Sequence, residues 1–246
     1  MLGYIKDIIR NLRCRLLQLK LSDKPEISLP ESALVVAPHP DDEAIGCGGL
    51  IARLCAEGHA PHVVVMTGGG GSLRGYSDMP ESDVIKTRRN LTLNSAKALG
   101  LPEDNIHFLD FVDGHIGERQ ETEMARLKDL IDQLKPDAIF VPHSGEGWSD
   151  HINTREIILN SQFSIFKVQF PKVYEYCVWM WYYNVWNLDW RNAFQLKMTD
   201  SEHSAKLKAM NAYIKPLAPC GQPWSGVLPK PFIKANTSRR ELYFKL

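Results

Sequence analysis

Paired cysteines are missing from this chain. Cys14, Cys47, Cys55, Cys177 and Cys220 are odd in number, scattered, and form no Cys-x-x-C. Such a set argues against a disulfide framework. Reduced thiols in the cytoplasm are expected, most of them packed as small hydrophobes. No unbroken apolar run approaches the roughly 18 residues that cross a bilayer, and the start lacks the apolar core and small-residue cleavage site of a secretory leader. Excess charge of one sign is also absent: 29 Lys and Arg balance 29 Asp and Glu, which removes any general attraction for nucleic acid. There are no internal repeats, and no low-complexity tract beyond four consecutive glycines at 68–71.

What the chain does contain is an alternation of apolar runs with helical periodicity. Its 246 residues, 44% hydrophobic and 24% charged, are enough to bury a full core. Short apolar runs at 33–37, 62–67 and 138–141 read as buried strands, and 106–109 as a further short strand. Periodic segments at 44–57, 83–99, 121–134 and 152–161 read as helices between and after them, with Gly58 and Gly100 as stops. The pattern predicts a Rossmann-like α/β fold, a mostly parallel sheet with helices on both faces. Residues 172–190, rich in Val, Tyr and Trp, predict late strands or a hairpin. A helix follows at 201–214, capped by Ser201 or Asp200, and a last strand begins near 239.

Residues 1–21 stand apart from residues 32–246, which are expected to form one domain, and a polar linker with Pro25 and Pro30 joins the two. Leu2, Ile5, Ile9, Leu12, Leu16 and Leu19 recur at steps of three and four, with Lys6, Arg10, Arg13, Arg15 and Lys20 around them. This is a basic amphipathic helix. Such a helix lies on an anionic membrane surface, on its own domain, or on a partner subunit of a homo-oligomer. The expected location is cytoplasmic, free or peripheral on the membrane.

The most informative segment is Ala37-Pro-His-Pro-Asp-Asp-Glu43, between the first strand and a Gly-rich helix start. It sets an imidazole and carboxylates at the carboxyl end of a strand, where open α/β sheets hold their chemistry. His39 and Asp42, three residues apart around a turn, can face one point. A catalytic zinc takes three protein ligands and leaves one position open. Asp150-His151, shortly after the fourth strand, supplies a third ligand in His151. The set suits Zn²⁺ or a divalent ion of similar preference such as Fe²⁺.

His39-Pro-Asp-Asp-Glu43, with Gly46 and Gly48-Gly49 behind it, resembles the signature of the PIG-L/LmbE-like N-acetylglucosaminyl deacetylases. Asp150-His151, Arg88 with Leu99-Gly100, Phe108-Leu-Asp-Phe-Val-Asp-Gly114 and, more weakly, 206–213 resemble further motifs of that family. The resemblance covers roughly residues 33–160. It implies a lactate-dehydrogenase-like α/β fold and metal-dependent removal of an acetyl group from an N-acetylated sugar conjugate. By the same resemblance His39, Asp42 and His151 hold the metal and Asp41 is the general base. A carboxylate not bound to the ion keeps its lone pairs free to take a proton from water acidified by the metal. Arg88 and Asp113 are the expected substrate contacts. Asp150 supports an imidazole by a hydrogen bond.

Two positions depart from the family pattern. Many members carry a second His three residues before the metal His, where this chain has Trp148, and an indole N–H cannot transfer a proton. Three outcomes follow: His143, at the end of the fourth strand, replaces that His, or Asp41 and the metal suffice without it, or activity is weak; the first two are the expectation. Leu91 stands where a Glu often follows the substrate Arg. The glycine loop at 68–71 lacks a P-loop lysine, so nucleotide hydrolysis is not expected. Two other readings remain at this stage: a non-catalytic module that holds a sugar or nucleotide, and an amidase for a non-sugar acetamide.

Overall fold

The computed structural model describes residues 2–160, 171–183, 186 and 188–246. After helix α1 (Leu2–Leu21), strands and helices alternate as β1 (Ala33–Ala37), α2 (Asp42–Ala56), β2 (His62–Thr67), α3 (Glu81–Leu99), β3 (Ile106–Phe111), α4 (Glu121–Leu134), β4 (Ala138–Pro142), α5 (Ser149–Asn160) and β5 (Lys172–Tyr176). The chain closes with β6 (Ala193–Lys197), α6 (Asp200–Ile214), α7 (Lys230–Asn236) and β7 (Arg240–Lys245). One seven-stranded sheet runs in the order β3-β2-β1-β4-β5-β7-β6. The first five strands are parallel, and β7 lies antiparallel between β5 and β6.

The apolar runs of the central strands follow from burial on both faces. Val35, Val63 and Val65 pack with Leu50 and Leu54 of α2, Leu91 and Leu99 of α3 and Met210 of α6. Leu34, Val36, Val64 and Met66 point the other way, onto Leu127 and Ile131 of α4 and Ile158 of α5. Helix α2 lies close to its neighbours because Gly46 and Gly49 lack a side chain at the points of contact. A methyl group at Gly46 would come 2.3 Å from Cδ2 of Tyr176, and one at Gly49 would come 2.4 Å from Sδ of Met198. Packing thus accounts for both glycines.

Several expectations for the second half need correction. Within 172–190 only β5 forms among the described residues, and it pairs with β4 and β7 rather than in a hairpin. The 152–161 helix starts earlier, at Ser149, so Asp150 and His151 sit in its first turn. The cap of α6 is Thr199: its Oγ1 accepts from the Glu202 N–H, and the Glu202 carboxylate accepts from the Thr199 N–H. Such a reciprocal cap contributes about 1 kcal/mol. The linker is partly structured, since Glu26 bridges to Gln195 beside β6 and Ile27 is buried.

Helix α1 docks on the domain by the side opposite its apolar stripe. Arg13, Leu17 and Leu21 are buried, and Arg13 Nη1 donates to the carbonyls of Met180 and Trp181 at 3.2 and 3.0 Å. Among the described residues no helix is long and apolar enough to cross a membrane.

Candidate metal centre

The strand order reverses between β1 and β4, which lie side by side and feed α2 and α5. That reversal opens a crevice at the carboxyl edge of the sheet. The β1–α2 loop is fixed there by β2, because the Thr67 N–H and Oγ1 both donate to the Pro38 carbonyl at 3.0 Å. Asp41 adopts φ 118°, in the left-handed region that a residue with a Cβ avoids. Arg88, 3% exposed, holds this strained turn. Its guanidinium donates to the carbonyls of Pro40 and Gly69 and meets Asp41 Oδ2 at 3.2 Å. Gly69 makes room for it, since a methyl there would lie 2.1 Å from Arg88 Nη1.

Asp42 in the first turn of α2 and His151 in the first turn of α5 converge with His39. Asp42 Oδ2 lies 3.2 Å from His39 Nδ1 and 3.3 Å from His151 Nε2, and the two imidazole centroids are 5.5 Å apart. The three donor atoms lie within 4.8 Å of one another. Two ligands bound at about 2.0–2.1 Å with a tetrahedral angle stand roughly 3.3 Å apart, so these spacings fit a shared cation. Two nitrogens and one oxygen are also the donors that zinc or ferrous iron takes. The three predicted ligands are therefore together.

The outer nitrogens of both imidazoles face carboxylates. His39 Nε2 lies 3.1 Å from Asp150 and 3.3 Å from Asp113. Burial alone would lower the His39 pKa, but Asp113, Asp150 and Asp42 hold it well above its ordinary value. Asp150 also accepts the N–H groups of Gly114 and Ile116, so the imidazole it supports is His39, not His151. Asp113 Oδ2 accepts the Gly71 N–H at 2.7 Å and ties the glycine loop to the site. Burial pushes the Asp41 carboxyl well above the usual carboxylate range, and the Asp42 and Glu43 charges push the same way against Arg88. Burial would also raise Asp42, but His151 and His39 outweigh it and hold Asp42 low.

Glu146, which the sequence did not single out, completes the arrangement. It is fully buried, and its Oε2 lies 3.3 Å from His151 Nδ1. The same carboxylate accepts the N–H groups of Val178, Trp179 and Met180 at 2.6–3.2 Å. Its only sequence signal is an acid flanked by Gly145 and Gly147 in the loop after β4.

His143 is not where the sequence expectation put it. Its Nδ1 accepts the Gly145 N–H at 2.9 Å, its Nε2 faces Glu175 at 3.7 Å, and its ring packs on Phe244. It is 6% exposed and does not line the crevice. Hydrogen bonding within its own turn and the contact with Phe244 hold the ring outside the crevice. The variant H143N, which retains an acceptor for Gly145, is expected to keep kcat within about threefold while Tm falls by about 2–4 °C per kcal/mol lost. A hundredfold loss of kcat with unchanged Tm would return His143 to the chemistry.

The crevice has a volume of about 400 Å³. His39, Asp41, Asp42, Arg88, Asp113, Asp150 and His151 line its floor. Trp148, Trp179, Phe232 and residues 225–228 form a wall. Trp148 and Trp179 pack at 5.6 Å between ring centroids.

A reversed-order α/β sheet with a largely buried His-Asp-His cluster and a separate carboxylate at its carboxyl edge defines an α/β protein with a group of side chains that could hold a cation. The model of the PIG-L family, described as GlcNAc-PI de-N-acetylase, matches residues 34–161, just over half the chain, and the protein belongs to that family. It is 30% identical to a 1D-myo-inositol 2-acetamido-2-deoxy-alpha-D-glucopyranoside deacetylase of Saccharomonospora viridis, over 50% of this chain and 55% of that one. It is equally 30% identical to a 4-oxalmesaconate hydratase of Pseudomonas putida, over 45% of this chain and 43% of the other. The N,N'-diacetylchitobiose deacetylase of Pyrococcus horikoshii shares the fold, with a TM-score of 0.58 at 24% identity over 74% of this chain and 69% of that one. The chain spans between about a quarter and two thirds of the length of the curated relatives it matches.

Proposed function

We propose that this protein is a metal-dependent N-deacetylase that hydrolyses the acetamide of an N-acetylglucosamine-type sugar conjugate, with zinc or ferrous iron held by His39, Asp42 and His151. The observation that carries this reading is the convergence of both imidazoles on one Asp42 oxygen, with Asp41 beside them outside the ligand set. When bound, the cation acidifies water and polarises the amide carbonyl.

The remaining work falls to the chain's own groups. Asp41, held by Arg88, takes a proton from water as the oxygen attacks the acetyl carbon. The C–N bond breaks, and Asp41 returns that proton to the departing amine, leaving acetate and a free amino sugar. With His143 outside the crevice and an indole at position 148, Asp41 carries the proton transfers alone. Trp148 and Trp179 offer flat apolar faces to the sugar ring, while Arg88 and Asp113 remain the polar contacts for its hydroxyls.

The reading is supported by the family and by the deacetylase relative. The hydratase relative shows why a chemical test is required. The protein loaded with Zn²⁺ or Fe²⁺ is incubated with N-acetylated sugars, sugar conjugates and non-sugar acetamides, and acetate and amine are measured. Equimolar acetate and amine from a sugar acetamide, lost on chelation and restored by metal, is the expected result. No acetate from any sugar substrate at full metal loading would overturn it. Acetate from the non-sugar acetamides alone would leave an amidase.

A further inference from the structure

The outward face of α1 is apolar and without a partner among the described residues. Ile5, Ile9, Leu12, Leu16 and Leu19 are 51–67% exposed, although they form one stripe along the helix. The domain fixes that orientation through Arg13, Leu17 and Leu21 on the inward side. The charge of the helix is one-sided: it carries five Lys and Arg and a single acid, Asp7, which pairs with Arg10. Lys6, Arg15 and Lys20 flank the stripe. Beside it, α1 and α7 enclose a recess of about 550 Å³ to which Arg15, Lys234 and Arg240 contribute. Since the whole chain has net charge +0, positive charge is concentrated on this surface.

We infer that α1 seats the protein on an anionic lipid bilayer. The Ile and Leu stripe enters the interface, and lipid phosphates meet Lys6, Arg15, Lys20 and the α1–α7 recess. A second copy of the chain is the poorer occupant. Two such stripes face to face would set Lys6, Arg15 and Lys20 against a like-charged flank with no acid to match them. The domain-facing side of α1 is linked to the wall of the crevice. Arg10 of α1 lies 3.9 Å over the Tyr182 ring, Tyr182 packs on Trp179 at 5.9 Å, and Trp179 lines the crevice.

The test is co-sedimentation of the full chain with phosphatidylcholine vesicles, with and without phosphatidylglycerol. The native protein should pellet with the anionic vesicles at least about tenfold more than with the neutral ones, and added salt should release it. I9E/L16E alters only exposed positions and should bind the anionic vesicles at least about tenfold more weakly, while its turnover of a soluble sugar acetamide stays unchanged. Equal pelleting of the two proteins overturns the proposal. So does a native dimer that ignores vesicles and that I9E/L16E converts to monomer. Pelleting is read independently of acetate release, so docking and deacetylation can fail separately.

Discussion

Replacing Asp42 by Ala is expected to abolish stoichiometric cation binding and to lower kcat/KM by at least about a thousandfold. The reason lies in one oxygen. Asp42 Oδ2 is shared by the His39 N–H at 3.0 Å, His39 Nδ1 and His151 Nε2, so it is the point on which the donors converge. Without it two imidazoles remain, one short of the three protein ligands of a catalytic zinc. Lewis-acid stabilisation amounts to several kcal/mol, and each 1.36 kcal/mol is about tenfold in rate. Metal analysis by mass spectrometry, steady-state kinetics and thermal unfolding check this together. D42N, which keeps the shape but loses the charge, separates loss of ligation from loss of fold. Full metal content and native turnover in D42A would remove Asp42 from the centre.

The second large effect is expected at the neighbouring residue and has the opposite metal signature. D41N should retain its cation and its KM within about threefold, while kcat falls by about 10²–10⁴, the range a general acid–base contributes. Asp41 is turned toward Arg88 rather than into the ligand set, so removing its charge leaves the three donors in place. Arg88 keeps two backbone carbonyl acceptors, Gly69 and Pro40, which limits the structural damage. If D41N lost metal in proportion to activity, Asp41 would be a ligand and the proton transfers would need another group.

Much of the parallel half of the fold was legible because its strands are buried on both faces. A run such as Ala33–Ala37 has no polar interruption, and the ends of β2, α4 and β4 fall within a residue of expectation. The antiparallel half was less legible. Strand β6 is a five-residue edge strand whose partner β7 lies far along the chain, so no local turn announces it. Helix α7 has only seven residues with a proline near its start, too few for periodicity to show. At the site, the sequence brought out His39, Asp42 and His151 as a set able to face one point, and the structure brings their donor atoms within 4.8 Å of one another. Spacing could not give side-chain direction, which is why His143 was expected in the crevice and Glu146 was passed over. The apolar stripe of residues 1–21 is visible in the sequence, but the orientation of α1 depends on Arg13 reaching backbone carbonyls of a distant loop.

Glu146 joins two things that a ligand would sense separately. One carboxylate borders the ring of His151 and also anchors the backbone from which Trp179 projects into the crevice. An ion held at His151 and a sugar seated against Trp179 would therefore be coupled through one side chain, and linkage would make that coupling mutual: whatever factor the first adds to the affinity of the second, the second adds to the first.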